Sequence, residues 1–201
     1  CWGDNDSGEL GLGDANYRGD ASNEMGANLP AVSLGTGKTS AAIADGGSHT
    51  CALLNDSSVK CWGASVWGQL GLGDTSTRGD GLNEMGDNLP AVSLGAGKTA
   101  VAIATGNYHT CAVLKDDSVK CWGRNGGGEL GLGDTSTRGD GPNEMGDNLP
   151  AVSLGAGKTA VAVTTGNGHT CAVLKDGNVK CWGHNLWGQL GVRSKVQSLA
   201  L

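Results

Sequence analysis

The tripeptide Cys-Trp-Gly occurs four times in this chain, and each occurrence begins 60 residues after the previous one. A fixed period of this length indicates a repeat architecture, in which each unit buries its apolar surface against its neighbours. Residues 64–123 and 124–183 are identical at 49 of 60 positions, and 4–63 matches 64–123 at 40 of 60. The predicted organisation is a stub, three full repeats, a partial repeat and a divergent tail, with bounds 1–3, 4–63, 64–123, 124–183, 184–191 and 192–201.

Glycine makes up 37 of the 201 residues, whereas Phe is absent and Trp and Tyr together number 8, from 6 Trp and 2 Tyr. So much glycine without a collagen period indicates frequent turns and argues against a helical domain. No run of 18 apolar residues is present, so we expect no membrane partner. The net charge of −6 is opposite to the basic footprint of nucleic-acid-binding proteins, so we expect no nucleic-acid partner either.

Each repeat contains short segments with strand patterns, represented by 99–105, 109–114 and 118–122. The last two are joined by a three-residue loop ending in Asp or Gly, which predicts a hairpin. Centring its turn on Asp116 places Val113 opposite Val119 and pairs the two cysteines of the repeat. Both faces of this hairpin carry apolar residues, which is typical of stacked sheets such as propeller blades.

A fourth strand is predicted at 89–94, with Pro90 restricting it to an edge because proline has no amide hydrogen to donate. The predicted fold is therefore all-β, with propeller blades of four antiparallel strands. Three repeats are fewer than the four to eight blades usual in closed propellers, so we expect an incomplete or open ring.

Six of the seven cysteines form pairs spaced by ten residues across the predicted hairpins, and Cys1 is left over. The candidate disulfides are Cys51–Cys61, Cys111–Cys121 and Cys171–Cys181. Three such bridges would favour an extracellular or cell-surface location, because reducing compartments keep thiols free. Buried free thiols in a cytoplasmic protein are the first alternative. A zinc site is the second, although each hairpin offers only one His and two Cys. The partner of Cys1 would precede the chain, so we expect a longer parent.

The segment His-Thr-Cys-Ala-Val-Leu-Lys-Asp-Gly-Asn-Val-Lys-Cys-Trp-Gly-His-Asn-Leu-Trp-Gly-Gln-Leu-Gly, residues 169–191, resembles the repeat of the regulator of chromosome condensation family, in a variant with paired cysteines. The resemblance implies four-stranded propeller blades, commonly seven to a ring. It also implies that an open arc would expose its end blades, through which copies of the chain could self-associate. The family includes a nucleotide exchange factor for a small GTPase, ubiquitin-ligase scaffolds and a secreted inhibitory protein. No catalytic residue can be transferred from these relatives by motif.

Three further motifs in each repeat suggest a function but have simpler explanations. The segment 35–39, Gly-Thr-Gly-Lys-Thr, lacks the upstream glycine of a phosphate-binding loop, since Val32 occupies that position. Arg78-Gly79-Asp80 matches an adhesion triplet, but Gly-Asp is also common in polar turns. The acidic residues of the same loop match no known calcium-binding spacing. We therefore expect no cofactor and no metal site.

The near-identical repeats differ mainly after each Trp-Gly, at 108, and at the hairpin turn. Because loops carry specificity on a shared scaffold, we predict a protein–protein interaction or scaffold module, not an enzyme, that binds through loops on one face. The candidate contact residues are Trp67, Tyr108, Arg124, His184 and Trp187, although the two Trp could instead pack between blades. The alternatives are an exchange factor for a small GTPase within a longer parent, and a secreted or cell-surface adhesion or inhibitor-type binder.

Overall fold

The computed structural model describes residues 1–192 and contains three antiparallel sheets, one for each repeat. Each sheet has three strands, in the order β1-β2-β3, β4-β5-β6 and β7-β8-β9. Their bounds are β1 Ser40–Asp45, β2 His49–Leu54, β3 Val59–Gly63, β4 Ala100–Thr105, β5 His109–Leu114, β6 Val119–Gly123, β7 Ala160–Thr165, β8 His169–Leu174 and β9 Val179–Gly183. Three single-turn 3₁₀ helices, Gly26–Asn28, Gly86–Asn88 and Gly146–Asn148, lie in the long loops. The predicted tail at 192–201 falls outside the described residues from 193 onward.

The hairpin register is the one predicted from the sequence. In β5 and β6, Cys111 lies opposite Cys121 and Val113 lies opposite Val119. The equivalent cysteines pair in the other two sheets, and all six predicted cysteines form three disulfide bonds. Cys1 is exposed and not bonded. The predicted disulfides are therefore confirmed, and each one links neighbouring strands of a single sheet.

The predicted fourth strand is wrong, because each sheet has three strands and the segment 90–95 is irregular. This segment does lie beside the outer strand β3 of the preceding sheet. The Val92 amide donates a hydrogen bond to the carbonyl of Val59 in β3, 2.8 Å away. The Leu94 carbonyl, however, accepts a hydrogen bond from Lys120 Nζ, and Pro90 has no amide hydrogen. Because its backbone groups are used in this way, the segment does not continue the ladder.

The sheets stack through the face that carries the disulfide. Cys51, Val59 and Cys61 pack against Ala112 and Trp122 of the next sheet, and the second and third sheets repeat this contact. The third sheet has no following sheet among the described residues, and Val179 is 61% exposed where its equivalent Val119 is 0% exposed. The described sheets thus form an open series of blades, and the ring is not closed.

A buried tryptophan connects each sheet to the loop that follows the preceding Trp-Gly in the chain. Trp122 donates its indole hydrogen to the Gln69 carbonyl, 3.0 Å away, and Trp62 and Trp182 do the same with Glu9 and Glu129. Gly71 lies against this indole with a φ of +69°, and a Cβ there would come within 2.7 Å of Trp122 Nε1. Glycine is required at this position for both reasons. The loop after Trp-Gly is therefore held by the next blade.

Two buried lysines make a second connection between repeats. Lys60 Nζ donates hydrogen bonds to the Leu34 carbonyl at 3.0 Å and to the Gly86 carbonyl at 2.7 Å. Lys120 makes the equivalent pair of contacts. Desolvation lowers the pKa of both ammonium groups. These lysines tie the segment before one sheet to the 3₁₀ helix of the following repeat.

Candidate protein-binding site

The antiparallel strands place the variable positions of each repeat on the same edge of the blades. The last strand of a sheet ends at Trp-Gly beside the start of the middle strand, so Ala64 lies next to Ser48 and Arg124 lies next to Tyr108. We call this edge the Trp-Gly rim and the opposite edge, which carries the turns at 55–58 and 115–118, the hairpin rim. On the Trp-Gly rim, the loop of one repeat meets the next repeat at an inter-blade junction.

The middle junction brings together three of the predicted contact residues. The Arg124 amide donates a hydrogen bond to the Tyr108 carbonyl, 2.9 Å away. Its guanidinium carbon lies 5.9 Å from the centre of the Trp67 ring, within the range of a cation–π contact. Trp67 is 42% exposed, and Tyr108 and Arg124 are half-buried. A cation beside a partly exposed aromatic ring is thus available at the surface.

The last junction contains His184 in the position that Arg124 occupies in the middle one. Two glycines replace the aromatic residues, because Gly127 and Gly168 correspond to Trp67 and Tyr108. A Cβ at Gly127 would come within 1.6 Å of His184 Cδ2, so the imidazole lies directly over this glycine. The Nε2 atom of His184 lies 3.7 Å from Oε1 of the Glu129 carboxylate.

The first junction is small and uncharged at the corresponding position, which is Ala64. The Ala64 amide donates to the Ser48 carbonyl at 2.8 Å, and Glu9 Oε2 accepts a hydrogen bond from the Ser7 amide, also at 2.8 Å. The three junctions therefore share a backbone framework and differ in their side chains. Each presents a different surface on the same rim.

Trp187 does not join the other predicted contact residues, because it lies beyond the last junction and is 92% exposed. Its equivalent Trp67 is partly covered by Arg124 of the following repeat, which explains the difference. Sequence reasoning missed Gln69 and Glu129, which are buried beneath the middle and last junctions. The sequence could have indicated this position, because it alternates between Glu and Gln from one repeat to the next.

The strand histidines are structural within the described residues. His49 Nε2 lies 2.8 Å from Thr110 Oγ1, and this hydroxyl donates to the Gln69 carbonyl. A hydroxyl has one hydrogen to donate, so His49 carries its proton on Nε2. Its Nδ1 is buried without a partner. Burial lowers the pKa of His49 to about 4 and that of His109 to about 3, which keeps both rings neutral.

The other motifs are occupied by internal contacts. Arg78 of the Arg-Gly-Asp triplet pairs with Asp74 Oδ2 at 2.8 Å, and its backbone forms a bridge with Gly63. Lys98 of the glycine-rich segment forms an ion pair with Asp116 in the hairpin turn, so this ion pair holds the segment against the hairpin rim. Within residues 1–192, no group of three or more His, Cys, Asp or Glu side chains has a metal-binding arrangement.

Comparison with known families gives a consistent assignment. Two models described as the regulator of chromosome condensation (RCC1) repeat match this chain, one at residues 41–69, 100–129 and 160–189, and the other at 56–113 and 116–173. The chain is 31% identical to the ultraviolet-B receptor UVR8 of Arabidopsis thaliana over 98% of its own length and 40% of that protein. It is 34% identical to the probable E3 ubiquitin-protein ligase HERC4 of Homo sapiens, over 76% of its length and 13% of that protein.

Solved structures share the fold at low sequence identity. Human WBSCR16 superposes with a TM-score of 0.70 at 20% identity, covering 98% of this chain and 45% of that one. Yeast RCC1 (Prp20), solved bound to Kap60, superposes with a TM-score of 0.65 at 19% identity, covering 98% and 43%. The chain therefore spans less than half the length of these relatives. Among the described residues, no helix combines the length and apolar character needed to cross a membrane.

Proposed function

The chain belongs to the regulator of chromosome condensation (RCC1) repeat family, and we propose that it is a protein-binding module that recognises its partner through the Trp-Gly rim. The cores of the repeats are nearly duplicated, whereas the residues at the junctions differ from repeat to repeat. A scaffold that conserves its packing while varying one rim is suited to presenting several distinct contacts to one partner.

The observation that carries this proposal is the middle junction. Trp67, Tyr108 and Arg124 belong to residue types that dominate the energetics of protein interfaces. They are separated by up to 57 positions in the sequence, from 67 to 124, yet lie side by side on the rim. Two aromatic residues and an arginine that are partly exposed form a compact anchor of the kind found at the centre of an interface.

The chain supplies its own control for testing this anchor. W67G/Y108G installs the glycines that the last junction carries at the same positions, so the backbone is already compatible with them. Proteins crosslinked to the wild-type chain in its source cells would be quantified by mass spectrometry against this variant. We expect at least a tenfold loss of specific partners in the variant.

The matched control lies on the hairpin rim, where K115A removes an exposed side chain without touching the junction. We expect K115A to retain the partners. Far-UV circular dichroism spectra identical to wild type would show that both variants are folded. Equal retention by W67G/Y108G and wild type would refute binding through the Trp-Gly rim.

We further propose that the protein resides in an oxidising compartment, at the cell surface or outside the cell. The three disulfides support this location, since such bonds persist where thiols are not kept reduced. A secreted or cell-surface binder, whether an adhesion or an inhibitor-type protein, is the form of the module that fits this compartment. Exchange activity toward a small GTPase stays a prediction for a longer protein, to be tested by nucleotide release.

A further inference from the structure

Gln69 has a buried hydrogen-bond donor without an acceptor. The side chain is 0% exposed, and its Oε1 accepts a hydrogen bond from the Trp67 amide at 2.9 Å. Its Nε2 is buried and has no partner. A buried donor without an acceptor carries a desolvation cost, so such groups are uncommon in folded proteins. The position of this amide at the middle junction calls for an explanation.

The last junction shows where the free amide points. There, Glu129 Oε2 accepts the Gly127 amide at 2.7 Å, as Gln69 Oε1 accepts that of Trp67. The remaining Glu129 oxygen, Oε1, faces His184 at 3.7 Å. By the repeat, the remaining Gln69 atom, Nε2, faces the equivalent of His184, which is Arg124. The last junction thus places a carboxylate oxygen 3.7 Å from an imidazole nitrogen, whereas the equivalent groups of the middle junction, an amide nitrogen and a guanidinium, are both donors.

Arg124 is also without an acceptor. Its guanidinium makes no hydrogen bond or ion pair with any described residue, and its carbon lies 5.9 Å from the centre of the Trp67 ring. Arg124 is half-buried whereas Gln69 is buried, so a group arriving from the surface would meet the guanidinium first and would reach the amide only after Arg124 moves aside. Together the Gln69 amide and the Arg124 guanidinium are hydrogen-bond donors for which the described residues supply no acceptor.

We propose that the middle junction binds a carboxylate side chain, Asp or Glu, of the protein partner. This inference rests on the proposed function and specifies its chemistry. A carboxylate has two oxygens and one negative charge, which matches one guanidinium and one amide donor. A phosphate would gain less, because its sites combine several cations or a row of backbone amides, and a single arginine is present here. Trp67 lies beside the guanidinium and would cover the aliphatic stem of the bound residue.

Side-chain ¹⁵N resonances of the full 201-residue chain would test this site directly. The probe is a tri-glutamate peptide with both ends blocked, compared with the tri-glutamine peptide and with inorganic phosphate. We expect the glutamate peptide to shift the Gln69 amide, Arg124 Nε and Trp67 indole resonances saturably. The glutamine peptide should leave them unchanged. Absence of a saturable shift with glutamate, or an equal response to glutamine, would overturn the proposal, and stronger binding of phosphate would identify an anion site of another class.

Two variants and a charge control separate the donors from general electrostatics. Q69E copies the residue found at this position in the first and third repeats, Glu9 and Glu129, so it is compatible with the fold. Its carboxylate should pair with Arg124 and reduce the affinity for glutamate peptide at least tenfold. R124A should do the same, whereas K115A, which removes an equal charge on the hairpin rim, should not. Unchanged affinity in Q69E would refute the role of the Gln69 amide.

This result is separable from the proposed function. If the glutamate peptide fails to bind while W67G/Y108G still loses its crosslinked partners, the rim binds protein but not through a carboxylate. If the peptide binds and the crosslinked partners are unaffected by W67G/Y108G, the carboxylate site stands and the proposed partner surface is wrong.

Discussion

The substitution Val119→Ala tests the stacking of the blades quantitatively. Val119 is 0% exposed in β6 and packs with the disulfide against the third sheet. The substitution removes two methyl groups, worth about 1.6 kcal/mol at about 0.8 kcal/mol per group, and the unfilled cavity raises the loss to roughly 2–3 kcal/mol. With a urea m-value of about 2–3 kcal/mol/M, the unfolding midpoint should fall by about 1 M.

The repeat provides the control, because Val179 is the same residue in the same hairpin of the third sheet. It is 61% exposed, so Val179→Ala should cost no more than about 0.5 kcal/mol. Val59, in the first sheet, is also 0% exposed and should behave like Val119. Urea unfolding followed by tryptophan fluorescence measures all three variants. A loss for Val179→Ala as large as that for Val119→Ala would refute the order of blades and the open face described above.

Three further predictions concern the stability of the repeats. The folded state favours the neutral form of His49 and His109, so their full contribution to the free energy of unfolding is present above the unfolded pKa of 6.5. This contribution should be lost as the pH falls from 6.5 toward the pKa values in the folded state, about 4 for His49 and about 3 for His109. The loss should reach about 3 kcal/mol for His49, and His49→Gln should flatten the pH dependence of the urea midpoint. Reduction of the three disulfides should raise the intact mass by six hydrogens, two for each bond, and a smaller increase would contradict the fully bridged form. Lys60→Met leaves two carbonyls without a donor and should cost about 1–3 kcal/mol. Lys180→Met, at a lysine that makes no such bonds within residues 1–192, should cost under about 0.5 kcal/mol by urea unfolding.

The repeat and the hairpins could be predicted because they depend on local spacing. The interval of ten between Cys111 and Cys121 and the turn at Asp116 together specify the register, and each repeat tests it independently. The fourth strand was predicted wrongly at 89–94, although its residues alternate as a strand would. Its carbonyl at Leu94 accepts from Lys120, a residue 26 positions away, and no local pattern indicates this competing partner.

The candidate site was predicted only in part. Comparison of the repeats identified Trp67, Tyr108 and Arg124 as variable, and the structure adds that they share one junction. His184 lies apart from these three residues because the blades stack in chain order. The residue after each Trp-Gly therefore lies over the loop of the preceding repeat, as His184 lies over Gly127. A sequence gives the variable positions, but which of them meet depends on the contacts between blades.

The position occupied by Gln69 shows why the middle junction differs in kind and not only in side-chain size. At Glu129 the carboxylate accepts the Gly127 amide of its own loop with one oxygen, and the other oxygen lies 3.7 Å from His184 Nε2. With glutamine the first of these contacts is kept, whereas the second oxygen is replaced by a buried amide nitrogen that has no hydrogen-bond partner among the described residues. Packing alone would be equally well served by Glu or Gln, since the two are nearly isosteric. A carboxylate of the partner would supply the acceptor that Gln69 Nε2 lacks, so the exchange of one atom is what suits this junction to the binding we propose.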